Sequence, residues 1–217
     1  MYKRLSEISS EFNSLREQGR TRGKEVGWPW ELLPLTLKEG NTTYMASAPG
    51  SGKTEFWLEC LINTSCKYGW KHCIYSPETG AFADVYAELC HKFVGKAFVK
   101  SKDSMNDIEL AHAQQFVDEH FVVVDPIDDD LSIHQFYALV DKIENDTGWT
   151  INTTTIDPWN ELAEEYINSD LGREDKYLSR ILGYVRKNAR GTGRHNCVIT
   201  HVRDQKSILQ LIRSMGQ

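Results

Sequence analysis

The sequence has no run of ~18 consecutive apolar residues, so it offers no membrane-spanning helix. Its first residues, MYKRLSEISSEF, lack the apolar core of a secretory signal. Cysteine is sparse: Cys60, Cys66, Cys73, Cys90 and Cys197 are scattered, odd in number, and form no CxxC. That excludes a disulfide framework and a zinc ribbon, and the expectation is reduced thiols in a cytoplasmic protein. Positive charge is not in excess, since 25 Lys and Arg stand against 31 Asp and Glu for a net charge of −6. A broad basic surface for nucleic acid is thereby excluded, whereas a narrow channel needs only a few cations on one face. Internal repeats and low-complexity segments are also missing. What remains is an ordinary globular composition, 40% hydrophobic and 26% charged over 217 residues, enough for one domain and a short appendage.

Residues 2–19 set Leu5, Ile8, Phe12 and Leu15 three and four apart, which predicts an amphipathic helix. Gly19, Gly23 and Gly27 then interrupt a basic stretch, RTRGKEVG, that reads as flexible. The division is therefore a linker helix and linker over 1–26 and a main domain over 27–217. The apolar face of such a helix packs either on its own domain or on a neighbouring subunit, and both remain open.

From residue 42 onward the elements alternate. Strands are predicted over 42–48, 72–76, 121–124, 150–156 and 197–200. Helices are predicted over 53–68, 81–98, 104–120, 133–146 and 173–190. Strands separated by helices of this length imply βαβ crossovers and a mostly parallel sheet, the α/β class. Such sheets place their ligand at the carboxyl ends of the strands.

At the end of the first of these strands stands SAPGSGKT, residues 47–54. This is a phosphate-binding loop (Walker A) with Ser47 in the place of the first glycine. Gly50, Ser51 and Gly52 let the backbone turn its N–H groups inward, and the following helix adds its positive end. Lys53 can reach the β- and γ-phosphates, and the Thr54 hydroxyl can ligate magnesium. Ser47, Ala48, Pro49 and Glu55 complete the expected nucleotide-binding set. Ser47 is tolerated if its φ is negative, because the chelating amides come mostly from later positions.

Three further strand ends carry chemistry. Asp157, after TTTI, is placed to order magnesium, with Asp125 as a rival of the same local form. Glu78, in IYSPET, can orient or deprotonate an attacking water. Its other reading is a helix N-terminal carboxylate favoured by the dipole. His201 ends the last strand, where a polar group could respond to the outermost phosphate. Trp57 and Trp70 read as core, and Trp159 as packing or as a base platform.

Taken together, the phosphate loop, Glu78, IDPWNEL (156–162) and the strand ending in His201 resemble the RecA-like core of DnaB-type replicative helicases. The likeness is nearest to the Twinkle and phage primase-helicase branch. It spans roughly residues 27–203. It implies a RecA-like P-loop NTPase that hydrolyses ATP or another NTP with Mg2+ while translocating on single-stranded DNA. Lys53, Glu78 and His201 are then catalytic, with Glu78 as general base and His201 as sensor. Thr54 and Asp157 are the metal residues, which ranks Asp157 above Asp125. Arg203, Gln205 and Lys206 contact DNA. The N-terminal helix docks on the next subunit of a ring, a hexamer, with primase or other replication proteins as partners and no membrane.

Three features depart from that pattern. Ser47 replaces the glycine. HVRD (201–204) replaces HPxK, removing a lysine and adding Asp204. The pattern also continues with further strands and an arginine finger, whereas this sequence ends at SILQLIRSMGQ with Arg213 unmarked. The expectation is a core shortened at its C-terminus with feeble hydrolysis. Other readings of the same residues are a nucleotide switch in recombination or annealing without unwinding, a P-loop kinase, and a nucleotide-binding scaffold. For the kinase, RKNARGTGR (186–194) would have to be a lid, but its spacing suits a helix end and a turn.

Overall fold

The computed structural model describes residues 2–20, 22–28, 32–124, 131–163 and 174–201. Its centre is a five-stranded parallel sheet in the order β3-β7-β6-β4-β5. The strands are β3 (Thr42–Ser47), β4 (His72–Tyr75), β5 (Phe121–Val124), β6 (Thr153–Ile156) and β7 (His195–His201). Helices α2 (Lys53–Tyr68), α3 (Phe82–Val94) and α4 (Asp107–His120) pack on one face. Helices α5 (Ile133–Thr147) and α6 (Glu174–Thr192) pack on the other. The result is a three-layer α/β fold of the RecA-like kind.

Strands β4 and β6 are buried along their whole length, yet β6 reads TTTI rather than an apolar run. Each threonine hydroxyl has a partner. His72 Nδ1 lies 2.6 Å from Thr153 Oγ1, Thr154 donates to Asn196 Oδ1 at 2.8 Å, and Trp57 Nε1 donates to Thr155 Oγ1 at 2.8 Å. Satisfied in this way, the hydroxyls avoid the cost of desolvated polar groups and fix the register of β6 between its neighbours. Trp57 is fully buried and Trp70 nearly so, as core residues of the α2 face. Full burial of each large apolar side chain contributes roughly 1.5–3 kcal/mol.

Several boundaries differ from the sequence reading. α3 stops at Val94 because Gly95 takes φ 73°, and its N–H donates to His91 O at 2.8 Å; residues 95–98 are not helical. α4 starts at Asp107, capped by the Asn106 side chain, which accepts from the Ile108 and Glu109 amides. The N-terminal segment begins with a 3-10 turn (Leu5–Ile8) before α1 (Ser9–Gln18), and buries no residue.

The segment after α1 is tied down. β1 (Lys24–Glu25) pairs antiparallel with β2 (Thr36–Leu37), and Val26 is fully buried. Asn63 Nδ2 donates to Val26 O at 3.2 Å. Neither short strand has enough alternation to announce itself in sequence. The RKNARGTGR stretch forms the end of α6 and a turn at Gly193, φ 81°. Among the described residues no helix is long and apolar enough to cross a membrane.

Candidate nucleotide-binding site

Because every strand of the large sheet is parallel, their carboxyl ends share one rim. Register places Ser47 opposite His201 and Tyr75 opposite Ile156. The loop after β3, Glu78 after β4, Asp157 after β6 and His201 at the end of β7 therefore meet at one place.

The loop turns through two left-handed glycines, Gly50 at φ 70° and Gly52 at φ 82°. A Cβ at either position would meet nothing within 4 Å, so only the dihedral demands glycine, and the space beside both is open. Among the described residues no residue other than glycine has positive φ, so Ser47 sits in ordinary backbone and its hydroxyl pairs with that of Ser51. Helix α2 follows at once, with no side-chain cap at Gly52. The first helical bond is the Phe56 N–H donating to Gly52 O at 2.9 Å. The amides of Lys53, Thr54 and Glu55 are thus left to face an anion.

Lys53 is nearly buried. Its ammonium folds back over the loop and donates to Ser47 O at 3.2 Å, Ala48 O at 3.0 Å and Ser51 Oγ at 3.4 Å. It also lies 3.3 Å from His201 Nδ1, while His201 Nε2 lies 2.6 Å from Glu78 Oε2. An imidazole carrying its proton on Nε2 satisfies both contacts: it donates to the carboxylate and accepts from the ammonium. Glu78 is the middle residue of a 3-10 turn (Pro77–Thr79) that is separate from α3. It faces His201 rather than capping a helix.

Thr54 Oγ1 donates to Asp157 Oδ2 at 2.6 Å. Asp157 is only 3% exposed. Burial pushes its carboxyl above the usual range; the Thr54 hydrogen bond, His201 and Lys53 oppose that, and Glu78 adds to it. Among the described residues no group of three or more His, Cys, Asp or Glu could hold a metal by itself. A hydroxyl and one buried carboxylate nevertheless suit magnesium, a hard cation that keeps waters and takes phosphate oxygens for the rest. The donor chemistry fits Mg2+.

Asn160 is the residue the sequence reading passed over. Its Oδ1 accepts from Thr200 Oγ1 at 2.9 Å and from the His201 N–H at 3.0 Å, holding the end of β7. Its place in DPWN was visible; its partners, 40 and 41 residues away, were not. Trp159 is part-buried against the α5/α6 core and closes a small cavity with Tyr44, Leu178, Leu182 and Val198, so it packs between elements. Asp125, Arg203, Asp204, Gln205, Lys206 and Arg213 lie outside the described residues.

Fold and loop together define a RecA-like P-loop α/β domain. Its fold is that of the DnaB-type ATPase core. A DnaB-like replicative helicase, solved in a study of its interactions with primase, superposes with a TM-score of 0.70 at 18% identity. That match covers 94% of this chain and 49% of the helicase chain, so the chain spans about half of that helicase's length. The ATPase domain of G40P superposes with a TM-score of 0.71 at 17% identity, covering 99% of this chain and 81% of that domain. No protein-family model and no curated protein sequence matches the chain.

Proposed function

We propose that the chain is the nucleotide-hydrolysing core of a DnaB-like helicase, binding ATP with magnesium and moving on single-stranded DNA. The observation that carries this reading is the linked constellation at one strand rim. Lys53, His201 and Glu78 form a continuous polar chain beside the Thr54–Asp157 pair.

In this reading the loop amides and the α2 amides bind the phosphates, and Lys53 exchanges its contacts with Ser47 O and Ala48 O for phosphate oxygens. Thr54 and Asp157 would hold a magnesium ion, which would supply positive charge beside the phosphates. Glu78 accepts a proton from water as its oxygen bonds to the γ-phosphorus and the bond to the bridging oxygen breaks. His201 keeps the Glu78 carboxylate turned toward Lys53 and relates its position to the lysine beside the γ-phosphate. Asn160 fixes the backbone on which His201 stands. Residues 203, 205 and 206 follow directly in sequence, where Arg203, Gln205 and Lys206 are the proposed DNA contacts.

The apolar side chains of the N-terminal segment support self-association into a ring, for Leu5 in the 3-10 turn and Phe12 and Leu15 in α1 are 58%, 48% and 47% exposed. A hexamer, with primase or another replication protein as partner, extends the same reading. The five cysteines are unpaired, which supports a reducing, cytoplasmic setting. The test is ATP hydrolysis with and without single-stranded DNA, run beside strand separation of a forked duplex. DNA-stimulated hydrolysis coupled to separation is expected. Turnover without separation would favour a nucleotide switch instead.

A further inference from the structure

At the end of the sheet opposite the phosphate loop, a pocket of about 300 Å3 lies between the start of β3 and the last turns of α6. Gly40, Thr42, Tyr44, Arg186 and Arg190 line it, and no carboxylate does so among the described residues. Thr42 and Tyr44 are two apart on β3 and share the face that packs on α6. Ser47 lies at the other end of β3, roughly 17 Å away at the usual strand rise. The pocket is therefore separate from the site at the loop.

Arg186 and Arg190 stand four apart on α6, a spacing at which like charges repel. The helix end does not need them as caps. The Asn188 carbonyl accepts from Thr192 Oγ1 and the Ala189 carbonyl from the Gly193 N–H, each at 2.9 Å. Arg194, by contrast, is committed to Asp141 and Glu144. The Gly40 N–H donates to Gly193 O at 2.9 Å, which ties the turn before β3 to the turn after α6 and fixes the two walls together. Thr42 Oγ1 is buried and makes no hydrogen bond of good geometry, although the Tyr44 hydroxyl is near it. A buried hydroxyl left in this way destabilises the fold until an acceptor or donor meets it. Tyr44 donates to Leu182 O across a long 3.4 Å. Burial pushes its phenol up to about 12, with Arg186 opposing, so it keeps its proton. Two guanidinium forks and two hydroxyls with no competing carboxylate are the chemistry that recognises a phosphate dianion.

We propose that this pocket is a second phosphate site, in which the Arg186 and Arg190 guanidiniums and the Thr42 hydroxyl hold a phosphate dianion, free or as a terminal monoester. The dianion matches the two positive charges, replaces their repulsion with attraction, and gives Thr42 its acceptor. The site does not depend on what the loop binds.

The experiment is calorimetry on the full chain at constant ionic strength. The probes are inorganic phosphate and a short thymidine oligonucleotide with or without a 5′-phosphate. Wild type is set beside Lys53→Ala, Thr42→Val and the double variant Arg186→Gln, Arg190→Gln, with melting temperature as the check on folding. The double variant is expected to weaken inorganic phosphate roughly tenfold or more and to leave magnesium-ATP unchanged. Without phosphate it should melt at or above wild type, because the repulsion is gone; with phosphate the order should reverse. Thr42→Val should weaken phosphate without lowering the melting temperature, and Lys53→Ala should keep this site. A loss that extends to the 5′-phosphorylated oligonucleotide supports a strand end as the source, and a loss confined to inorganic phosphate supports a free anion. Equal phosphate binding by wild type and the double variant, or its disappearance in Lys53→Ala, would overturn the proposal and leave the loop reading standing. Equal weakening of the oligonucleotide with and without its 5′-phosphate would also overturn it, in favour of general strand binding. Phosphate binding retained without any binding of magnesium-ATP would sink the nucleotide reading and support this site.

Discussion

His201 Nε2 stands 2.6 Å from Glu78 Oε2, across 123 residues of sequence. Glu78 is about half exposed and His201 is 17% exposed by side chain, so the contact orients a carboxylate that would otherwise sample solvent. Replacing His201 with Ala frees Glu78. The expected outcome is a fall in kcat on the order of 10–100-fold with KM nearly unchanged. His201→Gln keeps a donor and recovers part of the loss. Steady-state ATP hydrolysis reads both.

Asp157 poses the opposite problem, a carboxylate buried at 3% exposure whose pKa burial raises. Its charge costs stability unless a cation shares it. Asp157→Asn keeps the shape and an acceptor for the Thr54 hydroxyl. It is expected to raise the melting temperature without nucleotide by a few degrees. The variant should also lose the added stabilisation that magnesium-ATP gives wild type. Thermal melts with and without the ligand measure both effects.

A pH dependence follows from His72, fully buried between Ser65 and Thr153, with burial lowering its pKa to about 3 from 6.5. Between those two values the unfolded chain holds a proton that the folded chain refuses. Stability from this group is therefore full above 6.5 and is lost as pH falls toward 3. Melting temperature should decline over that window, and His72→Gln should decline less steeply.

The layers of this fold were legible because their signals are local. The alternation of short strand-like stretches with helical ones located all five strands, and the α2 limits of Lys53–Tyr68 agree with the sequence reading. Helix α3 was read too long because Ala97 and Phe98 continue its apolar pattern past Gly95, whose left-handed dihedral decides the matter. The short β1/β2 ribbon and the burial of Val26 depend on a pairing across the chain that two-residue strands do not encode. In the site, residue types and strand ends were visible. The contacts of Asn160 with the end of β7 were not, since they are made only when β6 and β7 lie side by side.

Helix α1 buries none of its side chains, so its apolar residues contribute little to the fold of the chain itself. The double change Phe12→Ser and Leu15→Ser is expected to leave the melting temperature within about 2 °C, since exposed sites usually shift stability by less than ~0.5 kcal/mol. It should lower the mass of any assembly. Light scattering coupled to size exclusion checks this, and an unchanged mass would remove α1 from the interface.

The central claim is that Glu78 acts on the phosphate that this loop holds. The most direct measurement is the Glu78→Gln variant, with magnesium-ATP affinity by calorimetry and single-turnover hydrolysis on the same preparation. The account predicts affinity within a few-fold of wild type and hydrolysis slower by roughly 10²–10⁴-fold. Hydrolysis at the wild-type rate, with binding intact, would contradict it.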